Sequence, residues 1–62
     1  MEGKLFLFDD IKIGRPFIFN GTSYNKRSNR TANVFGMPSR WFYFSKKDVV
    51  YSHPNNIKGL EK

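Results

Sequence analysis

The sequence predicts an all-β domain, a small five-stranded SH3-like barrel, with an OB-like barrel as the second choice because that fold usually needs a longer chain. Three observations carry this. Phe17-Ile18-Phe19-Asn20-Gly21-Thr22-Ser23-Tyr24-Asn25-Lys26 reads as a hairpin folded about Asn20-Gly21. Asn-Gly supplies the positive φ that both central residues of a type I′ turn require. Short β-prone runs then recur at regular spacing, separated by turn residues, the pattern of a small barrel or sandwich. Finally, seven Phe, three Tyr and one Trp make up 18% of the 62 residues. A chain this short covers only about 60% of the surface it exposes when unfolded, so large aromatic side chains must supply the core.

In chain order, residues 1–4 are expected to form a loose end and Leu5–Phe8 a first short strand. Asp9-Asp10-Ile11-Lys12-Ile13-Gly14 is either a short strand or a turn that drops Ile11 and Ile13 onto the core, with Gly14 permitting the bend. Pro16 opens the next strand, a position that tolerates its missing N–H. The two-residue loop sets Phe17 opposite Tyr24, Ile18 opposite Ser23 and Phe19 opposite Thr22. Alternation places Phe17, Phe19, Thr22, Tyr24 and Lys26 on one inward face, with Lys26 at the barrel end, and Ile18, Ser23 and Asn25 on the other. Thr31–Phe35 reads as a strand with Ala32 and Val34 on one face, Gly36-Met37-Pro38-Ser39 as a loop, Trp41–Phe44 as a strand, and Val49–Tyr51 as the last short strand. His53-Pro54-Asn55-Asn56 breaks structure, and 55–62 is a second loose end of a single domain spanning 1–62.

Catalytic and metal chemistry find little support. The chain carries no cysteine and one histidine, His53, which reads as a surface residue. Neither glycine-rich phosphate loop is present. Asp9 and Asp10 are adjacent, so on a strand they would point to opposite faces; they read as turn-capping acids. The expected protein is not an enzyme and uses no cofactor. No apolar run approaches the ~18 residues of a membrane span, and Leu5–Phe8 is too short for a signal-peptide core. The expected location is the cytoplasm, which the absence of cysteine fits.

Charge gives the better lead. Eleven Lys and Arg against five Asp and Glu leave a net charge of +6, an excess that draws polyanions and places nucleic acid first among partners. A solubilising surface is the competing account. In Arg40-Trp41-Phe42-Tyr43-Phe44-Ser45-Lys46-Lys47, alternation separates Phe42 and Phe44 from Trp41 and Tyr43. Phe has no polar atom to satisfy, so Phe42 and Phe44 are expected inside. Trp41 and Tyr43 then stand outside beside Arg40, Lys46 and Lys47, a stacking platform with phosphate contacts. The same pair could instead cover a minor core, or serve as a protein-binding hot spot. Lys26, Arg27 and Arg30 form a second basic cluster on a turn, able to grip phosphates without reading sequence.

Phe8-Asp9-Asp10-Ile11-Lys12-Ile13-Gly14-Arg15-Pro16-Phe17 fits an opening of the form Phe-x-x-Ile-x-x-Gly-x-x-Phe. Phe19-Asn20-Gly21-Thr22-x-Tyr24-x-Lys26, Ser28-Asn29-Arg30-Thr31-Ala32-x-Val34 and Phe42-x-Phe44 before Val49-Val50 continue the pattern. Over residues 8 to 50 the chain resembles small uncharacterised proteins of tailed bacteriophages with a predicted SH3-like barrel. The resemblance implies a fold and an infected bacterial cytoplasm, and it transfers no binding or catalytic residue. The expected function is therefore non-enzymatic nucleic-acid binding, DNA or RNA, by a monomer or a weak homodimer paired through an edge strand. The alternative is a phage protein that binds and inhibits or redirects an acidic host protein such as a polymerase subunit or nuclease.

Overall fold

The computed structural model describes residues 3–58. They form β1 (Lys4–Leu7), a 3₁₀ turn (Phe8–Asp10), β2 (Pro16–Phe19), β3 (Thr22–Lys26), β4 (Thr31–Val34), β5 (Met37–Tyr43), β6 (Val49–Ser52) and a second 3₁₀ turn (Pro54–Asn56). The strands make one antiparallel sheet in the order β1-β6-β2-β3-β4-β5. The sheet is thus open, with β1 and β5 at its edges, and it holds six strands rather than the five expected.

The β2–β3 hairpin has the register set by its loop: Phe17 pairs with Tyr24, Ile18 with Ser23 and Phe19 with Thr22. Asn20 and Gly21 adopt φ of 53° and 80°, the two left-handed residues that a type I′ turn needs. The β4–β5 connection departs from expectation. Met37-Pro38-Ser39 begins β5 instead of forming a loop, and Val34 pairs with Met37 across Phe35-Gly36. A register shift between Asn33 and Val34 absorbs the extra residues. Pro38 is tolerated because β5 is an edge strand with no further ladder to feed.

The core consists of Phe8, Ile11, Phe17, Ala32, Phe44, Val50 and Ile57, with Phe6, Phe19 and Tyr24 packed against it. Phe44 is its hub. It stacks on Phe8 at 4.9 Å between ring centroids and meets Phe17, Phe19 and Tyr24 edge-on at 5.5, 5.3 and 5.2 Å. Its N–H donates to the Arg30 carbonyl at 2.7 Å, which fixes the ring just beyond the end of β5.

Several expectations need correction. Of the two isoleucines, Ile11 is buried but Ile13 is 57% exposed, because the chain turns at Lys12–Arg15 with Gly14 at φ 90°. Phe42 shares the Phe44 side of the strand but stays 47% exposed, touching only the edge of the cluster through Tyr24 at 6.3 Å. It lies within the edge strand β5, whereas Phe44, just past the strand's end, turns into the cluster of Phe8, Phe17, Phe19 and Tyr24. Lys4 belongs to β1 and not to a loose end.

The stretch from 55 to 58 is not loose either. Ile57 bridges to Ile11 and fills the core, flanked by Lys12 N–H to the Asn56 carbonyl and Lys58 N–H to the Asp10 carbonyl, both 2.8 Å. Asn56 is buried in a polar knot: its amide donates to Ser52 Oγ and the Pro16 carbonyl, and its oxygen accepts from Arg15 Nε at 2.9 Å. His53 serves locally, its Nδ1 accepting the Asn55 N–H at the start of the second 3₁₀ turn. The ends beyond 3 and 58 lie outside the described residues.

Candidate functional site

Lys26 ends β3 on the inward row, following Tyr24 by two residues, and the structure takes that alternation to its conclusion. The side chain is 1% exposed. Its ammonium donates to the Phe8 carbonyl at 2.9 Å and the Ile11 carbonyl at 2.7 Å, and lies 4.4 Å from the centre of the Phe8 ring. The first 3₁₀ turn thereby gains a fixed partner for its carbonyls. Burial, and then the charge of Lys58, hold the Lys26 pKa below its ordinary 10.5, while Asp9 and Asp10 oppose that shift. Lys26 is therefore buried against the Phe8 and Ile11 carbonyls rather than standing on the exposed turn with Arg27 and Arg30, where the sequence grouped it.

Arg27 is the next residue and takes the opposite side. Arg27 and Ser28 both donate their N–H to the Thr31 carbonyl, at 2.9 and 3.2 Å, closing the turn between β3 and β4. Ser28 Oγ and Thr31 Oγ1 share a hydrogen bond of 2.7 Å, and Ser28 Oγ also accepts the Arg30 N–H at 3.4 Å. Across the sheet, Thr31 pairs with Tyr43 and Asn33 with Trp41. Register thus sets Arg27 level with Thr31 and Tyr43, and its side chain reaches Trp41, two residues along β5. The guanidinium carbon sits 5.4 Å from the Trp41 ring centre, and Trp41 meets Tyr43 edge-on at 5.3 Å and 75°. Arg27, Ser28, Thr31, Trp41 and Tyr43 line an open pocket of about 220 Å³. Trp41 is 42% and Tyr43 77% exposed.

The other candidates are placed apart. Arg30 is exposed and lies beside this pocket, its carbonyl tied to Phe44. Alternation puts Arg40 on the Phe42 side of β5, away from Trp41 and Tyr43. Lys46 and Lys47 occupy the turn after Phe44, which Asp48 closes by accepting the Ser45 N–H at 2.9 Å. The Lys46 carbonyl accepts the Asp9 N–H and its charge acts on Lys26, so Lys46 belongs to the first 3₁₀ turn and not to the aromatic pair. Ser28 and Thr31 escaped the sequence reading. A Ser and a Thr bracketing a basic turn at i and i+3 was the available signal.

The outer face also carries an apolar region at its other end. Leu5 pairs with Tyr51, Tyr51 with Ile18, and Leu7 with Val49, and all five are exposed. Beside them a cleft of about 280 Å³ runs between Pro16, Ile18, Phe35, Tyr51 and His53, with Phe17 at its floor. Among the described residues no cluster of His, Cys, Asp and Glu could hold a metal ion, and no helix is long and apolar enough to cross a membrane. Comparison of the chain with protein-family models, curated proteins and solved structures gives no match.

Proposed function

We propose that the protein is a small, non-enzymatic nucleic-acid-binding domain that joins phosphate contacts to aromatic stacking. The observation that carries this reading is the assembly of Arg27, Trp41 and Tyr43 around one open pocket on a chain of net charge +6. Exposed aromatics beside fixed cations suit a single strand, because every base has a face to stack and every nucleotide a phosphate to neutralise. The strand order supports an SH3-like barrel, with a β2–β3–β4 meander and the last strand inserted between β1 and β2. The resemblance to tailed-phage proteins supports a site of action in the infected bacterial cytoplasm. Anisotropy titrations with single- and double-stranded oligonucleotides at about 50 mM salt test the proposal, since phosphate-driven affinity is largest when salt is low. Absence of binding under those conditions sinks it.

A second reading has its own observation. The apolar outer face of Leu5, Leu7, Ile18, Val49 and Tyr51, with its adjoining cleft, is the kind of surface that marks a protein partner. Its net charge suits an acidic host protein, for example a polymerase subunit or a nuclease, inhibited or redirected by the contact. Capture from bacterial lysate after nuclease treatment separates the two: a partner retained without nucleic acid favours this reading.

A further inference from the structure

We infer that the pocket of Arg27, Ser28, Thr31, Trp41 and Tyr43 receives a single unpaired base and prefers keto bases (guanine, thymine or uracil) over the amino bases adenine and cytosine. This rests on the nucleic-acid reading and specifies its ligand. Arg27 lies over one face of Trp41, and Tyr43, the most exposed aromatic of the site, offers the more open stacking surface, with Trp41 edge-on to it as a wall. A base lying on Tyr43 turns its edge toward Arg27 and the Ser28–Thr31 hydroxyl pair, which with Trp41 complete the lining among the described residues.

The chemistry of that edge sets the preference. A guanidinium donates and cannot accept. Two hydroxyls carry two hydrogens, and one is consumed in the 2.7 Å bond between Ser28 and Thr31, so whichever of them donates, one O–H remains for a ligand. Guanine offers O6 with N7, and thymine or uracil offers O4, as acceptors to such donors. Adenine and cytosine present an exocyclic amino group at the corresponding position, which a hydroxyl oxygen can accept but the guanidinium cannot, so that position forfeits the charge-assisted bond a keto oxygen makes. A base held in a duplex is stacked on both sides and cannot reach Tyr43 without being unpaired.

The chain has one tryptophan, so Trp41 emission reports on this pocket directly. The probes are short oligonucleotides that are abasic except for one central thymine, guanine or adenine, alongside a fully abasic strand. Thymine and guanine probes should quench Trp41 and bind about three- to tenfold tighter than the adenine probe, the factor one hydrogen bond supplies. Arg27→Gln, whose amide both donates and accepts, should bring the ratio within about twofold. Tyr43→Leu, at a position 77% exposed and therefore tolerant, should weaken the base-bearing probes to the abasic level without changing the thermal melt. Equal affinity for thymine and adenine overturns the base preference. Equal affinity for base-bearing and abasic strands with silent Trp41 overturns the pocket but leaves phosphate binding standing. Failure of every ordinary oligonucleotide to bind removes the nucleic-acid reading itself.

Discussion

Replacing Lys26 by methionine separates a structural cation from a phosphate contact. Methionine keeps a flexible stem of similar reach and deletes the ammonium, which donates to the Phe8 and Ile11 carbonyls at 2.9 and 2.7 Å. The Phe8 carbonyl keeps one bond, from the Ile11 N–H at 3.1 Å, whereas the Ile11 carbonyl loses the ammonium as its donor. Hydrogen bonds to a charged group contribute about 1.5–3 kcal/mol each, so two amount to about 3–6 kcal/mol. The thioether recovers about 1 kcal/mol by burying apolar surface in place of a desolvated charge. A net loss of about 2–5 kcal/mol follows, a large fraction of what so small a domain possesses. At about 4–8 °C per kcal/mol, Tm should fall by at least about 8 °C. Thermal melts followed by circular dichroism measure this. Oligonucleotide affinity of the folded variant, measured well below its Tm, should change by less than about twofold, since a buried ammonium has no phosphate to lose. An unchanged Tm combined with a marked loss of affinity would refute the burial of Lys26 and return it to the binding surface.

The same lysine sets a pH dependence. Burial, aided by Lys58, lowers its folded pKa below 10.5, so between that lowered value and 10.5 the unfolded chain holds more protons and stability rises with pH. The urea midpoint of the native protein relative to Lys26→Met should accordingly grow as the pH rises toward 10.5, and a shrinking difference contradicts it. Ile57→Ala removes a buried side chain and should cost about 2–5 kcal/mol by urea denaturation, where a loose tail would cost nothing. Gly21→Ala forces a Cβ onto a residue at φ 80° with open space around it, so only backbone strain of about 1–2 kcal/mol should appear in the melt. The salt dependence of single-strand binding should have a log–log slope of about −1.4, reflecting Arg27 and Arg30 as the two cations at the aromatic pair, against about −4 if all six candidate Lys and Arg took part.

The parts of the fold legible in the sequence are those written locally. Asn20-Gly21 announced both a turn type and a register, and Phe17 meets Tyr24 as that register requires. Phe44 was legible because alternation on a strand of four aromatics leaves one inward pair. Its partner Phe42 was not, because alternation gives the side of a strand and not the depth to which that side is covered. The β4–β5 turn escaped for a related reason. Phe35-Gly36 has one positive-φ residue rather than two, and the pairing is restored by a bulge, which has no residue signature of its own. Ile57 escaped because its burial depends on a bridge to Ile11, a contact between the two ends of the described chain that no local pattern encodes.

The site poses the same problem in two dimensions. Charge counted along the chain gathers Arg40, Trp41, Lys46 and Lys47 into one patch because they are close in sequence. A sheet sorts neighbours differently: Arg40 and Trp41 are adjacent yet lie on opposite sides of β5, while Arg27 reaches Trp41 through β4. The pairings Lys26 with Ala32 and Ala32 with Phe42 put Lys26 and Phe42 in one inward row. The flanking pairs Thr31–Tyr43 and Asn33–Trp41 then lie on the other side of the sheet, Asn33 itself buried there, together with Arg27, which begins the turn after Lys26. One residue of register therefore separates a buried cation bonded to two backbone carbonyls from an exposed one beside Trp41. Alternation within β3 already placed Lys26 beside Phe17 and Tyr24. What misled was treating a positive charge as proof of exposure, when a lysine's four-carbon stem lets its ammonium leave water wherever two backbone carbonyls are waiting for a donor.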